Sequence, residues 1–199
     1  MNKKNKILII NGSPRKNKNC SKIIESITKK LDENELNYEV LNIYKMNIDY
    51  CTACGYCERT GKCVIKDDMT PLYEEFDKSI GTIVVSPMFF QSISTKVKTL
   101  VDRTQAFYSS KHILKKPSID VNKQRRGIFI AIGGQPEYEN QFLGGQLVMD
   151  LFFKCINTKL ISNIYMSNSD KVPYNENIEF QKELDKVVMN YIKEINDLI

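Results

Sequence analysis

Cys51, Cys54, Cys57 and Cys63 stand within thirteen residues, in the spacing C-x2-C-x2-C-x5-C. Thiolates are soft ligands, and gathered this tightly they suit an iron–sulfur cluster or a zinc ion. Successive CxxC steps curl a loop around one centre, and the fourth thiolate closes it. Zinc sites more often use two CxxC pairs separated by a longer stretch. The residues alone leave four readings open: a [4Fe–4S] cluster, zinc, a redox disulfide, or four unligated thiols in a surface loop.

Three further stretches carry chemistry of another kind. Residues 11–21 (NGSPRKNKNCS) are rich in hydroxyl, amide and cationic groups and lead into a helical pattern. Free backbone N–H groups and the dipole make a helix N-terminus an anion site. Ser13, Asn17, Asn19 and Ser21 offer hydrogen bonds to phosphate oxygens, and Arg15 offers charge. Neither G-x-x-x-x-G-K-[ST] nor G-x-G-x-x-G is present, so this is neither a nucleoside-triphosphate loop nor the dinucleotide fingerprint. A polar loop with an ordinary helix cap is the plainer alternative. In residues 86–94, Pro87 stiffens a turn and Met88, Phe89, Phe90 and Gln91 follow. A planar ring can lie against such aromatics, or they can pack under the loop. Gly133 and Gly134 allow close backbone approach to a ligand, and Tyr138 can flank a ring; an ordinary glycine turn explains them equally. A phosphate tail on the first stretch and a flat ring between the other two describe FMN.

These stretches act together only if the fold converges them. Apolar runs at 7–11, 38–43, 81–86, 127–132 and 160–166 read as strands, the third stopped by Pro87. Helical spacing recurs at 21–31, 97–104, 147–156 and 180–195, and a further helix is expected from about Leu72 to Lys78, with Thr70 as cap and Pro71 at its first position. Strands alternating with helices predict an α/β protein with a parallel sheet covered on both faces. In such sheets ligands bind outside the carboxyl ends of the strands, where the three stretches fall. Two segments interrupt the pattern, the Cys-rich loop 50–66 and the Lys/Arg-rich stretch 109–126, whose Lys111, Lys115, Lys116, Lys123, Arg125 and Arg126 read as a solvated face, with the 2′-phosphate of a nicotinamide nucleotide as the alternative partner.

A chain of 199 residues is most simply one domain, 1–199. The net charge of +5 suits an anionic cofactor but is too small and too dispersed for nucleic acid. The apolar run behind the basic residues 1–6 spans only four residues, too short for a secretory signal, and no segment approaches bilayer length. A cytoplasmic location is therefore expected, where thiols stay reduced and serve as ligands or redox groups. Cys155, beside Phe152, Phe153 and Ile156, reads as core packing. His112, the only histidine, sits among lysines and reads as a surface imidazole, so no His-based hydrolytic triad can form and no side chain is nominated as a catalytic acid or base.

The chain resembles the NAD(P)H-dependent FMN reductases of flavodoxin-like fold, and within them the iron–sulfur flavoproteins. The likeness rests on G-S-P-R-x-x-x-N at 12–19, on S-P-x-F at 86–90, on K-T-L-V-D-R at 98–103, and on the cysteine motif followed by Asp67-Asp68-Met69. It implies a three-layer, doubly wound, five-stranded parallel sheet of order 2-1-3-4-5. It implies FMN phosphate held by Ser13, Arg15, Asn17, Asn19 and Cys20, with the isoalloxazine near Pro87–Gln91 and Gly133-Gly134. It further implies a [4Fe–4S] cluster on the four cysteines, NAD(P)H as donor, a small-molecule or protein electron acceptor, and a homodimer or homotetramer with the flavin at an interface. Two positions depart from the family pattern: Lys18-Asn19-Cys20 replaces the usual Gly-Asn-Thr, and Gln91 stands where glycine is frequent. The competing reading is a flavodoxin-type electron carrier with no substrate of its own, its cysteines holding zinc or nothing.

Overall fold

A computed structural model describes residues 5–199; the basic stretch noted at the N-terminus extends, in residues 1–4, outside the described residues. Strand β1 (Ile7–Asn11) lies at the centre, paired in parallel with β2 (Tyr38–Asn42) on one side and β3 (Gly81–Phe89) on the other. Beyond β3 come β5 (Arg126–Ile132) and β6 (Lys159–Met166), also parallel. The order β2-β1-β3-β5-β6 is the expected one, with a two-residue strand added: β4 (Ser92–Ile93) turns back antiparallel onto the end of β3.

The central strands are buried along nearly their whole length because both faces are covered, yet their side chains still alternate between two cores. Ile7, Ile9, Ile83, Val85, Ile128 and Ile130 face α1 (Asn19–Glu33) and α7 (Ile178–Asn196). Leu8, Ile10, Val84, Phe129 and Ala131 face α3 (Met69–Lys78), α4 (Thr95–Arg103) and α6 (Leu143–Cys155). Two short helices complete the chain order, α2 (Tyr56–Thr60) in the Cys-rich loop and α5 (Gln105–Tyr108), which runs into a π-helical turn at Ser109–Ile113. Among the described residues no helix is long and apolar enough to cross a membrane.

Three boundaries differ from the sequence reading. The helix expected from Leu72 begins at Met69, because the Asp67 carboxylate accepts the Met69 N–H at 3.0 Å and does the work assigned to Thr70. Pro71 then falls within the first turn, where its missing N–H has no partner to lose. Pro87 does not stop β3, which continues to Phe89 with Pro87 opposite Ile132. The β1 pairing has already ended at Val85, so proline removes no ladder bond on that side. Finally, Arg125, expected on a solvated face, is 1% exposed.

Glycine sets how closely the helices approach the sheet. A Cβ on Gly81 would lie 2.0 Å from the Tyr191 hydroxyl and 2.9 Å from Ile195 of α7, and one on Gly127 would lie 2.3 Å from the Phe153 ring of α6. Gly81→Ala is expected to destabilise the protein by about 1–3 kcal/mol through overpacking, measured by urea unfolding. Tyr191→Phe in the same chain should recover part of that loss, because it deletes the atom nearest the added methyl.

Candidate functional site

At the carboxyl end of β1 a set of local bonds shapes the first loop. Asn11 Oδ1 accepts the Ser13 N–H at 3.1 Å, while its Nδ2 donates to Asn42 Oδ1 at 2.9 Å. Ser13 Oγ in turn accepts the Arg15 N–H at 3.1 Å. The loop is pressed against its neighbours: Gly12 donates its N–H to Val85 O at 2.8 Å, and the buried Ser94 hydroxyl donates to Gly12 O at 2.7 Å. Any Cβ on Gly12 would meet Val97 at 2.5 Å. The helix that follows, α1, has Lys18 at its N-cap with no side-chain capping bond, which leaves first-turn N–H groups facing the loop.

Residues from four strand ends line one recess of ≈290 Å³. They include Ser13, Arg15, Lys18, Asn19 and Cys20 after β1; Pro87, Met88 and Phe89 at the end of β3; Gly134 and Gln135 after β5; and Ser169 and Asp170 after β6. A second recess of ≈430 Å³ adds Phe90, Gln91, Gly133, Tyr138 and Gln141 and shares Met88, Gly134 and Gln135 with the first. Thus twelve of the fourteen positions nominated from sequence come together. Asn17 is exposed, with a left-handed φ of 53°, and Ser21 is half-buried on the first turn of α1; neither lines the recesses.

Asn19 takes a structural part. Its Oδ1 accepts the Tyr174 N–H at 3.0 Å and its Nδ2 reaches Ser169 O at 3.4 Å, tying the first loop to the segment after β6. Burial pushes the Cys20 thiol up to about 12, against an opposing hydrogen bond with Ser13, so it stays neutral near an anion site. Sequence reasoning missed Ser169, Asp170 and Gln141. The first two follow a strand end, as the nominated stretches do, within the polar run 167–170, and the same rule would have found them. Gln141 is 4% exposed and its Oε1 has no partner among the described residues.

The rim of the second recess is strained. The two-residue turn between β3 and β4 places Phe90 at φ 50° and Gln91 at φ 59°. Tight hairpins of this hand favour Asn-Gly, because both central residues take positive φ. The Gln91 carbonyl lies over Gly144, where a Cβ would approach it to 2.4 Å, and Phe90 is fully exposed.

The four cysteines of the motif line a separate cavity of ≈340 Å³, closed on its far side by Asp102, Arg103, Gln105 and Ala106. All four are free thiols. The loop reaches this shape through left-handed residues at Ala53, Gly55 and Gly61. Sulfurs bound to one zinc ion would each lie about 2.3 Å from it; among the described residues no three His, Cys, Asp or Glu side chains converge to hold a single ion.

What holds that cavity is a buried ion pair. Arg103 Nη1 lies 2.5 Å from Asp67 Oδ2 and Nη2 3.1 Å from Oδ1, with both side chains at 2% exposure or less. The guanidinium also donates to Asp49 O at 2.9 Å and Ile65 O at 3.3 Å, so it grips both ends of the Cys-rich loop. Burial works against both charges, yet the pairing outweighs it: Asp67 is held below the ordinary carboxylate range and Arg103 above its ordinary value. Arg103 Nε is buried and has no partner among the described residues. The Tyr73 hydroxyl donates to Arg103 O at 2.7 Å; burial, and then the nearby Cys63 sulfur, push it above the usual phenol range. Cys57 Sγ stands 3.4 Å from the buried Ser109 Oγ.

Comparison with known proteins places these features in company. Residues 5–136 match the family model described as NADPH-dependent FMN reductase. An iron-sulfur flavoprotein of Archaeoglobus fulgidus is 28% identical, the match covering 90% of this chain and 89% of that protein. An iron-sulfur flavoprotein of Methanosarcina thermophila is 32% identical, over 65% of this chain and 63% of the relative. Among solved structures, a flavone reductase superposes with TM-score 0.69 at 16% identity, over 96% of this chain and 63% of its own. An azoreductase from Bacillus anthracis superposes with TM-score 0.62 at 11% identity, over 96% of both chains. At these identities the structural likeness establishes the flavodoxin-like fold.

Arg103→Ala is expected to cost about 3–5 kcal/mol, because it strands Asp67 in the interior; urea unfolding measures it. The depressed Asp67 makes its contribution above the ordinary carboxylate value of about 3.9 and loses it as pH falls through the lower folded value. Asp67→Asn should therefore flatten the acid limb of a stability–pH profile. Gln91→Gly should stabilise the protein by about 1 kcal/mol by relieving the left-handed turn, read as a rise in thermal midpoint.

Proposed function

The chain belongs to the NADPH-dependent FMN reductase family, and we propose that it acts there as an iron–sulfur flavoprotein, an FMN-dependent oxidoreductase with a second redox group on its cysteines. Bound FMN would supply hydride acceptance from a nicotinamide, and a bound cluster one-electron exchange. The protein's part is to bind, orient and shield. One observation carries the reading: four strand ends, distant in sequence, meet in a pair of joined recesses with cations at one end and aromatic and glycine walls at the other.

In this proposal the Ser13 hydroxyl, the uncapped N–H groups of α1 and the charges of Arg15 and Lys18 take the phosphate. Asn19 fixes the loop that presents them. Pro87, Met88 and Phe89 with Gly133 and Gly134 form the walls for the ring, and the orphaned Gln141 Oε1 accepts a ring N–H. Asp170, beside Gly134, accepts hydroxyls of the sugar-like chain between ring and phosphate. No side-chain acid or base is required for this chemistry.

Cys51, Cys54, Cys57 and Cys63 would hold a [4Fe–4S] cluster. The fit rests on the shared cavity and the free thiols. The cavity shares no lining residue with the recesses. Helix α4, nine residues, runs from the first loop at Ser94 to the thiol cavity at Arg103, a span of about 13 Å. We further propose that the chain works as a homodimer or homotetramer in the cytoplasm. Leu143 and Leu147 are exposed one turn apart on α6, close to Phe90, and a second copy seated there would cover the rim of the flavin recess.

Protein isolated without oxygen should carry flavin and iron, with broad visible absorption beneath the flavin bands, and should oxidise NADPH or NADH with a quinone acceptor. Cys54→Ala, at an exposed position, should lose iron and keep flavin. Ser13→Ala should weaken FMN binding by about 1.5–3 kcal/mol. Zinc without iron would remove the cluster, and colourless protein that refuses FMN would remove the whole reading.

A further inference from the structure

The largest cavity among those described lies at the other edge of the sheet and belongs to none of the chemistry above. It is an open hollow of ≈760 Å³, within the size range of ligand sites. Arg126 and Lys159 sit on its wall as the first residues of β5 and β6. The flavin recesses lie past the other ends of those strands, about 20 Å away along the seven residues of β5. A ligand here cannot touch the flavin ring, so the basic stretch flagged in the sequence does not greet a nicotinamide bound there.

Charge on the wall is one-sided. Lys111, Arg125, Arg126, Lys154 and Lys159 contribute to it, and no Asp or Glu lines it among the described residues. The nearby carboxylates balance only part of it: Glu194 pairs with Arg126 Nε at 2.6 Å, Asp77 Oδ1 lies 3.1 Å from Arg125 Nη2 while also accepting the Asp120 N–H at 2.7 Å, and Asp120 Oδ1 accepts the Asn122 N–H at 2.9 Å. The two deepest cations mostly meet neutral oxygens. Lys111 Nζ donates to Lys154 O at 2.8 Å. Arg125 donates to Asp120 O at 2.8 Å and Asp77 O at 2.7 Å, with one Asp77 carboxylate contact at 3.1 Å, and its buried Nε has no partner among the described residues. Burial accordingly holds both groups below their ordinary values, with too little counter-charge to restore them.

The hollow is also built. Asn157, at φ 50°, donates its Nδ2 to the carbonyls of Asp120, Val121 and Lys123 at 3.2–3.4 Å, which pins the loop that carries Arg125. Its lip is apolar and aromatic. The Tyr108 and His112 rings lie 4.7 Å apart at a tilt of 39°, and Tyr108, Val121 and Leu151 remain 43–63% exposed. Cations that outnumber their counter-charges beside an exposed aromatic lip ask for an anion that carries a planar apolar group.

We propose that this hollow is a nucleotide-binding site, taking a diphosphate among Lys111, Lys154 and Lys159, with the buried charge of Arg125 behind them, and a base against Tyr108 and His112. The test is calorimetric titration of the full-length protein, with FMN in excess so that the flavin recess is filled. ADP, inorganic pyrophosphate and adenosine are the three probes. ADP should bind once per chain, and pyrophosphate at least tenfold more weakly. Lys154→Glu with Lys159→Glu, both exposed positions, should weaken ADP at least tenfold and leave flavin content unchanged; Tyr108→Leu should weaken ADP but not pyrophosphate. Failure of ADP to bind, or equal binding to the doubly reversed variant, would overturn the site. Equal affinity for pyrophosphate and ADP would overturn its assignment to a nucleotide.

Discussion

Arg103 and Asp67 carry opposite charges where water does not reach, and the thiol half of the molecule is assembled around them. A buried pair of this kind gives little net stability, since desolvation offsets most of the attraction. Its value is positional. The guanidinium must be satisfied on several sides at once, and it finds its partners in Asp67, Asp49 and Ile65, which bracket the Cys-rich loop. Asp67 in turn caps α3 and receives the Asp49 N–H at 2.9 Å. One charge thereby fixes the loop, the start of α3 and the end of α4 relative to each other. Without it, a segment with left-handed turns and few buried side chains would have little to define its course.

The flavin edge is organised by a different constraint, close approach of backbone. Gly12 lets the first loop press against β3, and Gly144 lets α6 slide beneath the hairpin tip. Serine hydroxyls at Ser13, Ser86 and Ser94 bind the main chain of adjoining segments at short range. The price is a hairpin whose two tip residues sit in a conformation that suits glycine. That strain lies at the mouth of the recess, where Phe90 is held out into solvent.

Much of this was legible in the sequence for simple reasons. The β-branched runs could only be buried parallel strands, and ligand residues gather where such strands end, so the three loops named from sequence converge. The parts that were not legible depend on tertiary pairing. Asn19 reads as a phosphate donor until Tyr174 and Ser169 are seen to engage its amide. Pro87 reads as a strand terminator unless one knows that β1 has already stopped. Arg125 reads as solvated because nothing local announces Asp77, far back in the chain, as its partner. The conjunction of Asp67 with Arg103 was present as two separate motifs, and only the fold makes them one interaction.

The gripping of the Cys-rich loop from outside itself bears on how such loops could move between proteins. A stretch carrying the four thiols is not a self-contained cassette. Grafted into another reductase of the same architecture, it would arrive with a carboxylate in need of a cation, and the recipient would have to offer an arginine at the foot of its fourth helix. Gain or loss of such a loop in this scaffold is therefore a coordinated event at two places in the chain, separated by thirty-six positions.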